Sequence, residues 1–356
     1  MQPELRSARP RSFQYPSLEH RTAIRILNLQ HGSGEDPIEC NMFTAELDDQ
    51  EYQALSYEWG RPDTDDPTVT INGCPIRIRR NLYEALVQIR SATEVLSLWI
   101  DALCINQADI QEKNHQVGMM GKIYESAENV IIWVGAARDN SDLAMERLAD
   151  GRLEGLIESG GLGITEQLAL ISLCHRSYWR RAWVVQEFHL AQSYEVRCGS
   201  KFVPGEKFGS ALATITGFDD RHKYCKTIAS SPANTHRVSR EFRGSRLNTL
   251  ARWLRVGLDL NSEATEPRDL IYAMLAVASD CNSSRIIPCY EKPLLDVYFE
   301  ALAFCNTPLY TLVGRKDMAR RLATRLGLIL DEELEENIAQ TTSMNLVDTD
   351  GMGEII

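Results

Sequence analysis

The chain has no surplus of basic residues. Its 38 Lys and Arg stand against 50 Asp and Glu, a formal charge of −12. A face built to release counterions from a nucleic-acid backbone needs the opposite balance, so nucleic acid is excluded as the expected partner. No apolar run approaches the roughly 20 residues of a membrane helix. The longest, Leu270 to Ala278, lies between Asp269 and Asp280, and no membrane association is expected. The first residues, Met1 to Arg21, lack an apolar stretch of signal length and are broken by Pro3, Glu4, Pro10 and Pro16. Arg6, Arg9 and Arg11 have no helical apolar face beside them, which favours a solvated tail over an organelle presequence. None of the nine cysteines stands at Cys-x-x-Cys spacing from another, so neither a zinc knuckle nor a dithiol redox site is supported and no metal is expected. With the missing signal, this points to reduced thiols in a cytoplasmic protein. The seven histidines are dispersed, and the neighbours Cys174 and His175 fall in a helical pattern that reads as packing and surface. No Gly-x-Gly-x-x-Gly follows a strand, and no P-loop is present. A dinucleotide or triphosphate cradle of those kinds is therefore not indicated, and no bound cofactor is expected.

What is present is the composition of a soluble folded chain, 44% apolar and 25% charged. At roughly 150 residues per domain, 356 residues suggest two domains or one elaborated one. Ile24 to Leu29 and Ile38 to Leu47 read as strands around the Gly32-Ser33-Gly34 turn. Tyr52 to Tyr57 is a third apolar segment. Val69 and Ile71 alternate with polar residues up to Asn72-Gly73, and Ile76 and Ile78 alternate after it, the strongest short-range hairpin signal. Asn81 and Glu84 resemble a helix cap before Leu82, Ala85, Leu86 and Ile89 at helical spacing. Leu96 to Ile100 is a strand ending in Asp101, and Val117, Met120, Tyr124 and Ala127 mark a second helix. Val130 to Val134 is apolar on both faces, as in a central parallel strand. Strands alternating with helices predict an α/β parallel sheet.

From 138 to 176 the pattern is helical, and Trp179, Ala182, Trp183, Gln186 and Leu190 mark a further helix. Glu195 to Cys198 follows as a strand. Residues 221–246 carry seven Lys and Arg against one Glu. They read as a mobile surface loop, solvated or docked within the molecule or on an acidic partner. Helices resume at Pro267 to Ala278 and Pro293 to Phe304, each with proline in its first turn. The expected organisation is a flexible tail over 1–22, an α/β domain over 23–200 with a helical insertion at 138–176, a mostly helical extension over 201–315, and a C-terminal helix and tail over 316–356.

Three segments carry a family likeness: Tyr52 to Gly60; Leu98 to Gln107, running on to Ile123-Tyr124 and Val130 to Gly135; and Trp179 to Glu187. Together they resemble the fungal HET domain, named for heterokaryon incompatibility, with Thr265 to Tyr272 similar to the segment that usually follows it. Cys289-Tyr290 departs from the usual Asp-Tyr of that family. HET domains are in turn similar to Toll/interleukin-receptor (TIR) domains. That likeness implies a flavodoxin-like core, here with an N-terminal β-hairpin elaboration, a helical insertion and a helical C-terminal part. Some TIR domains cleave nicotinamide from NAD using a glutamate four residues after a tryptophan on a helix, and Trp183 and Glu187 match that spacing. The resemblance therefore implies Glu187 as catalytic residue, NAD as substrate rather than cofactor, and activation by self-association. It also implies a role in non-self recognition and programmed cell death, in answer to a partner protein the sequence does not identify.

The residues are compatible with that chemistry. Trp179, Trp183 and Glu187, each four apart, are expected in one column of one helix, with the indoles desolvating the carboxylate. A fixed carboxylate stabilises an oxocarbenium-like ribose, and the departing nicotinamide already carries positive charge. Asp101 at a strand end is either a ligand-binding group or a cap for the next turn. Ser56, Tyr57 and Trp59 follow the first core strand, where the rings would stack a base or pack the core. Arg180 and Arg181 would meet a pyrophosphate or remain solvated. Cys104 has no histidine partner in sequence and is a poor nucleophile. The competing class is a non-enzymatic signalling scaffold. A Glu187 facing an open cleft beside Asp101 and the Ser56-to-Trp59 loop would favour the enzyme; a buried ion pair from Glu187 to an arginine would favour the scaffold.

Overall fold

A computed structural model describes residues 13–218, 220–245, 248–281, 286–305 and 312–343. One mixed sheet runs through it, made of β1 (Ala23–Leu29), β2 (Glu39–Glu46), β3 (Gln53–Tyr57), β4 (Thr68–Ile71), β5 (Cys74–Arg77), β6 (Leu96–Trp99), β7 (Asn129–Trp133), β8 (Tyr194–Cys198) and β9 (Lys201–Pro204). Their order is β5-β4-β2-β1-β6-β3-β7-β8-β9. The strands β6, β3, β7 and β8 are parallel, and the central pair β3 and β7 is buried along almost its whole length, as the two-faced apolar runs require. The sheet is not purely parallel. β1 pairs antiparallel with β6, and β9 antiparallel with β8. The N-terminal strands β1 and β2 pair antiparallel as a hairpin, from Ala23 opposite Glu46 to Leu29 opposite Cys40, and extend the same sheet. At the β4–β5 turn Asn72 and Gly73 both take positive φ, 51° and 75°, the backbone that matches the twist of a two-residue hairpin.

Along the chain the parallel strands come in the order β3, β6, β7, β8, but they lie as β6-β3-β7-β8. The strand order therefore reverses at β3, the kind of switch point at whose carboxyl end α/β sheets bind ligands. The helices filling the connections are α1 (Arg80–Ile89), α2 (Asp101–Cys104), α3 (Ile110–Ser126), then the insertion α4 (Ser141–Ala149), α5 (Leu153–Glu158) and α6 (Ile164–Cys174), and finally α7 (Val184–His189). The α1 helix buries Leu82, Ala85, Leu86 and Ile89 as their spacing predicts. Its cap position is Arg79, however, not Asn81. The Asn81 side chain instead accepts from the Trp133 indole at 2.8 Å and donates to the Glu58 carbonyl at 2.5 Å, tying α1 to β7 and the loop after β3.

Beyond β9 the chain is helical: α8 (Gly205–Thr216), α9 (Lys223–Ala229), α10 (Pro232–Glu241), α11 (Leu250–Asp259), α12 (Asp269–Leu275), α13 (Leu294–Phe304), α14 (Leu312–Arg325) and α15 (Glu332–Ser343). The expected mobile loop at 221–246 is corrected by this: its described residues form α9 and α10, with Cys225, Ile228, Ala233 and His236 fully buried. Two of its arginines satisfy carbonyls, while Arg237 bonds the Asn234 and Glu241 side chains and Arg221 is exposed. Arg240 donates to the Phe188 and Ala191 carbonyls, and Arg243 to the Leu190 carbonyl at 3.3 Å. Positive charge thereby sits where the α7 dipole is negative. The tail expectation also changes over 13–22, since Phe13 and Tyr15 pack on the core and the Arg25 guanidinium lies 4.8 Å over the Tyr15 ring; residues 1–12 lie outside the described residues, as do 344–356.

Two apolar cores result, one around the sheet and one among α11 to α15. The α7 segment belongs to both. Val184, Phe188 and Ala191 enter the first core, Ala182, Val185 and Leu190 the second, and Trp183 packs against each. The cores also meet where α3 crosses α12: a Cβ on Gly121 would lie 2.3 Å from that of Ala276, so only glycine permits the approach. Tyr290, in the turn that departs from the family pattern, straps the same junction. Its amide donates to Asn114 of α3 at 3.0 Å and its hydroxyl to Asp269 of α12 at 2.7 Å. Among the described residues no helix is long and apolar enough to cross a membrane.

Candidate active site

Ser56 lies near the carboxyl end of β3 and Asp101 just past that of β6, and α7 brings Glu187 beside them. The Ser56 hydroxyl donates to Glu187 Oε2. Because its one proton is spent there, the Tyr178 hydroxyl 2.5 Å from Ser56 Oγ is the donor in that contact. Arg181 Nη1 donates to the same Glu187 oxygen at 3.0 Å. Glu187 is thus held by a hydroxyl chain on one side and a guanidinium on the other, and it is 1% exposed. Next to it, Asp101 Oδ2 accepts from the Trp59 indole N–H at 2.8 Å, and Oδ1 from the Ala102 amide at 2.7 Å. Asp101 is the first residue of α2, whose cap position is Ile100 with no side-chain cap bond, and it belongs to the cluster.

The local backbone explains how Arg181 reaches Glu187. The predicted single helix through Trp179, Trp183 and Glu187 does not form. Ser177–Arg180 is a 3-10 turn, Arg181 is extended at φ −64° and ψ 135°, and α7 starts only at Val184. A backbone bridge interrupts the helix: Glu263 donates to the Arg180 carbonyl at 2.6 Å, and Ala182 donates to the Glu263 carbonyl at 2.9 Å. Trp179 and Glu187 consequently do not share a column. The Trp179 ring stacks on Phe208 inside the first core, while the indole of Trp183 hydrogen-bonds Asp269 in the second. The desolvation of Glu187 comes from burial between two cores rather than from a wall of indoles.

Electrostatically the cluster holds two acids and one guanidinium. Burial, reinforced by the Glu187 charge, pushes Asp101 up to about 6, against the pull of Arg181 and the Trp59 bond. Burial works against the Arg181 charge, yet Glu187 and Asp101 outweigh it and hold that guanidinium firmly protonated. Burial also raises the Tyr57 and Tyr178 hydroxyls, with Asp101 chief among the charges reinforcing it at Tyr57 and Glu187 at Tyr178. A buried site with more acid than base favours an added positive charge.

Of the residues singled out in the sequence, Ser56, Arg181 and Glu187 touch, Asp101 and Trp59 bond each other beside them, and Tyr57 is fully buried below. Arg180 does not reach this set; its Nε is buried with no hydrogen-bond partner. Trp59 is 38% exposed and forms the outer edge of the cluster. Tyr178 joins the site although it stands in no periodic pattern and no motif in the sequence singles it out. Cys104 is buried, accepts from the Ile100 amide, and is pushed up to about 12 by burial, which removes it as a nucleophile.

Residues 52–187 match the family described as Heterokaryon incompatibility protein (HET), a range that closes on Glu187 itself. This stretch is a HET domain. The chain is also similar to the heterokaryon incompatibility protein 6, OR allele, of Neurospora crassa, with 28% identity over an alignment covering 78% of this chain and 51% of that protein. It spans about half the length of that relative. No solved structure matches the chain. The HET domain thus supplies β3 through α7, and the site lies between its first strand and its last matched helix.

Proposed function

We propose that this chain acts in a fungal incompatibility response, as the name of its Neurospora relative suggests, and that its HET domain is a latent NAD-cleaving module that becomes active on self-association in the cytoplasm, after meeting a recognition partner. The parallel strands follow the order second-first-third-fourth, which supports reading the core as flavodoxin-like and TIR-like. One observation carries the catalytic reading: Ser56, Asp101 and Glu187 converge at the carboxyl ends of β3 and β6, with more buried acid than base. In that setting a pyridinium leaving group and an oxocarbenium-like ribose are the charges the site would stabilise. Trp59 at the rim offers a stacking face, and no general acid is required because nicotinamide departs neutral.

A second reading has a specific observation in its favour. Glu187 does not face an open cleft; it is buried and ion-paired to Arg181. In this conformation it fixes α7 between two cores, which suits a scaffold that signals by protein association. The test is nicotinamide release from NAD by purified protein, free and artificially clustered, alongside Glu187→Ala. Release by clustered wild type and its loss in a folded variant support cleavage. Silence of both, with both still lethal on expression, supports the scaffold.

A further inference from the structure

Arg181 places a cation directly against the buried Glu187 carboxylate. Its guanidinium lies 3.0 Å from Glu187 Oε2, feels the charge of Asp101, and is 15% exposed. It is a flat delocalised cation, the same chemical class as a pyridinium ring. It is also carried on a segment that has left the helix. Arg181 sits in the extended link between the 3-10 turn and α7, and the backbone bridge to Glu263 holds that link. Glu263 follows α11 and lies in the second core's part of the chain, outside the matched HET range. The neighbouring Arg325 of α14 donates to the Asn261 and Ser262 carbonyls, so the bridging segment is itself fastened to the C-terminal helices.

We propose that Arg181 is a built-in plug: its guanidinium fills an organic-cation site bounded by Glu187, Asp101 and Trp59, and the Glu263 segment holds it there, so that displacement of that segment opens the site. The proposal rests on the reading of Glu187 as the site's carboxylate. It deepens that reading by giving the site its own internal competitor and a mechanical link to the C-terminal helices. Removing the guanidinium while leaving both acids should create an uncompensated negative site that an external flat cation neutralises. The neutral ring of the same shape gains nothing.

The probe is the 1-methylnicotinamide cation, which cannot be cleaved, compared with neutral nicotinamide by calorimetry on the full chain. Arg181→Met is expected to bind the cation at least about tenfold more tightly than wild type, the gain of one charge-assisted contact, with no gain for the neutral ring. Arg181→Met/Glu187→Gln, which also removes the acid, is expected to lose the gain. Equal cation affinity in wild type and a folded Arg181→Met overturns the plug. Should Arg181→Met fail to fold, Arg181→Lys replaces it: the single ammonium holds Glu187 less well than the fork, so tighter cation binding than wild type supports the plug and unchanged binding overturns it. A tightened cation with no NAD cleavage by any clustered form leaves the plug standing and refutes the cleavage reading. Cleavage by clustered wild type with unchanged cation affinity in the variants does the reverse.

Discussion

Asp101→Asn is expected to stabilise the protein near neutral pH and to lose part of that advantage on acidification. Asp101 in the folded chain titrates at about 6, against about 3.9 for an ordinary aspartate. An acid whose folded pKa is raised binds its proton more tightly when folded. Its contribution is therefore most favourable below the unfolded value and is lost as pH rises through about 6. At about 1.4 kcal/mol per unit, the full penalty above pH 7 is about 3 kcal/mol. Asparagine removes the charge but offers one acceptor oxygen where two are used, by the Trp59 indole and the Ala102 amide, at a cost of about 1 kcal/mol. A net gain of about 2 kcal/mol remains at pH 7.5. At pH 5 wild-type Asp101 is mostly protonated in the folded state, and the gain should shrink by about 1.4 kcal/mol. The buried pair His189 and His236 runs the opposite way: burial depresses both, so their stabilisation is lost as pH falls below the ordinary histidine value. That term is common to wild type and variant and cancels in the difference. Urea unfolding of both proteins at pH 5, 6 and 7.5 gives the answer. A difference that stays flat across this range, or a destabilised variant at pH 7.5, would refute the charge balance argued for the cluster.

Gly121→Ala should lower stability by about 1–3 kcal/mol through overpacking of α3 on α12, and Ala276→Gly added to it should recover much of the loss in thermal unfolding. Arg240→Ala removes the donor to the Phe188 and Ala191 carbonyls; amide exchange within α7 should accelerate more than that of α3, and equal acceleration would argue against a local cap. Trp59→Phe takes away the indole bond that holds Asp101 down, so the Asp101 titration, followed by carboxyl NMR, should move above 6. If NAD cleavage is observed, its rate should rise with pH through about 6 as Asp101 ionises, and Asp101→Asn should flatten that limb.

Local signals were legible wherever a short stretch determines its own conformation. The β4–β5 turn needs only Asn72 and Gly73 at positive φ, and α1 needs only its apolar spacing. The strands of the HET domain stood out because burial on both faces leaves β3 and β7 almost wholly apolar. Distant partners were not legible. The helix expected through Trp179 and Glu187 is a fair reading of 179–190 alone, and it fails because Glu263 captures the backbone at 180–182. The stretch 221–246 has the composition of a solvated loop, since its seven Lys and Arg stand against one Glu. Arg240 and Arg243 in fact serve the carbonyls that end α7, a use of charge that composition does not reveal. Tyr178 entered the site for the same reason: its partner, Ser56, is 122 residues away.

The position of α7 decides how the two halves of the chain can communicate. A six-residue helix is too short to persist on its own propensity, so it is held by what surrounds it: apolar contacts to both cores, the arginine cap from α10, and the Glu187 contacts with Ser56 and Arg181. A buried carboxylate whose guanidinium is removed leaves a charge costing about 3–5 kcal/mol, a large part of the roughly 5–15 kcal/mol by which folded proteins are stable. Glu187 and Arg181 therefore cannot separate piecemeal. They exchange partners only when something else supplies positive charge to Glu187 and the Glu263 bridge lets Arg181 go. The same ion pair that argues against an open site in the resting chain thus sets the condition for opening it, and it ties that condition to helices outside the HET domain.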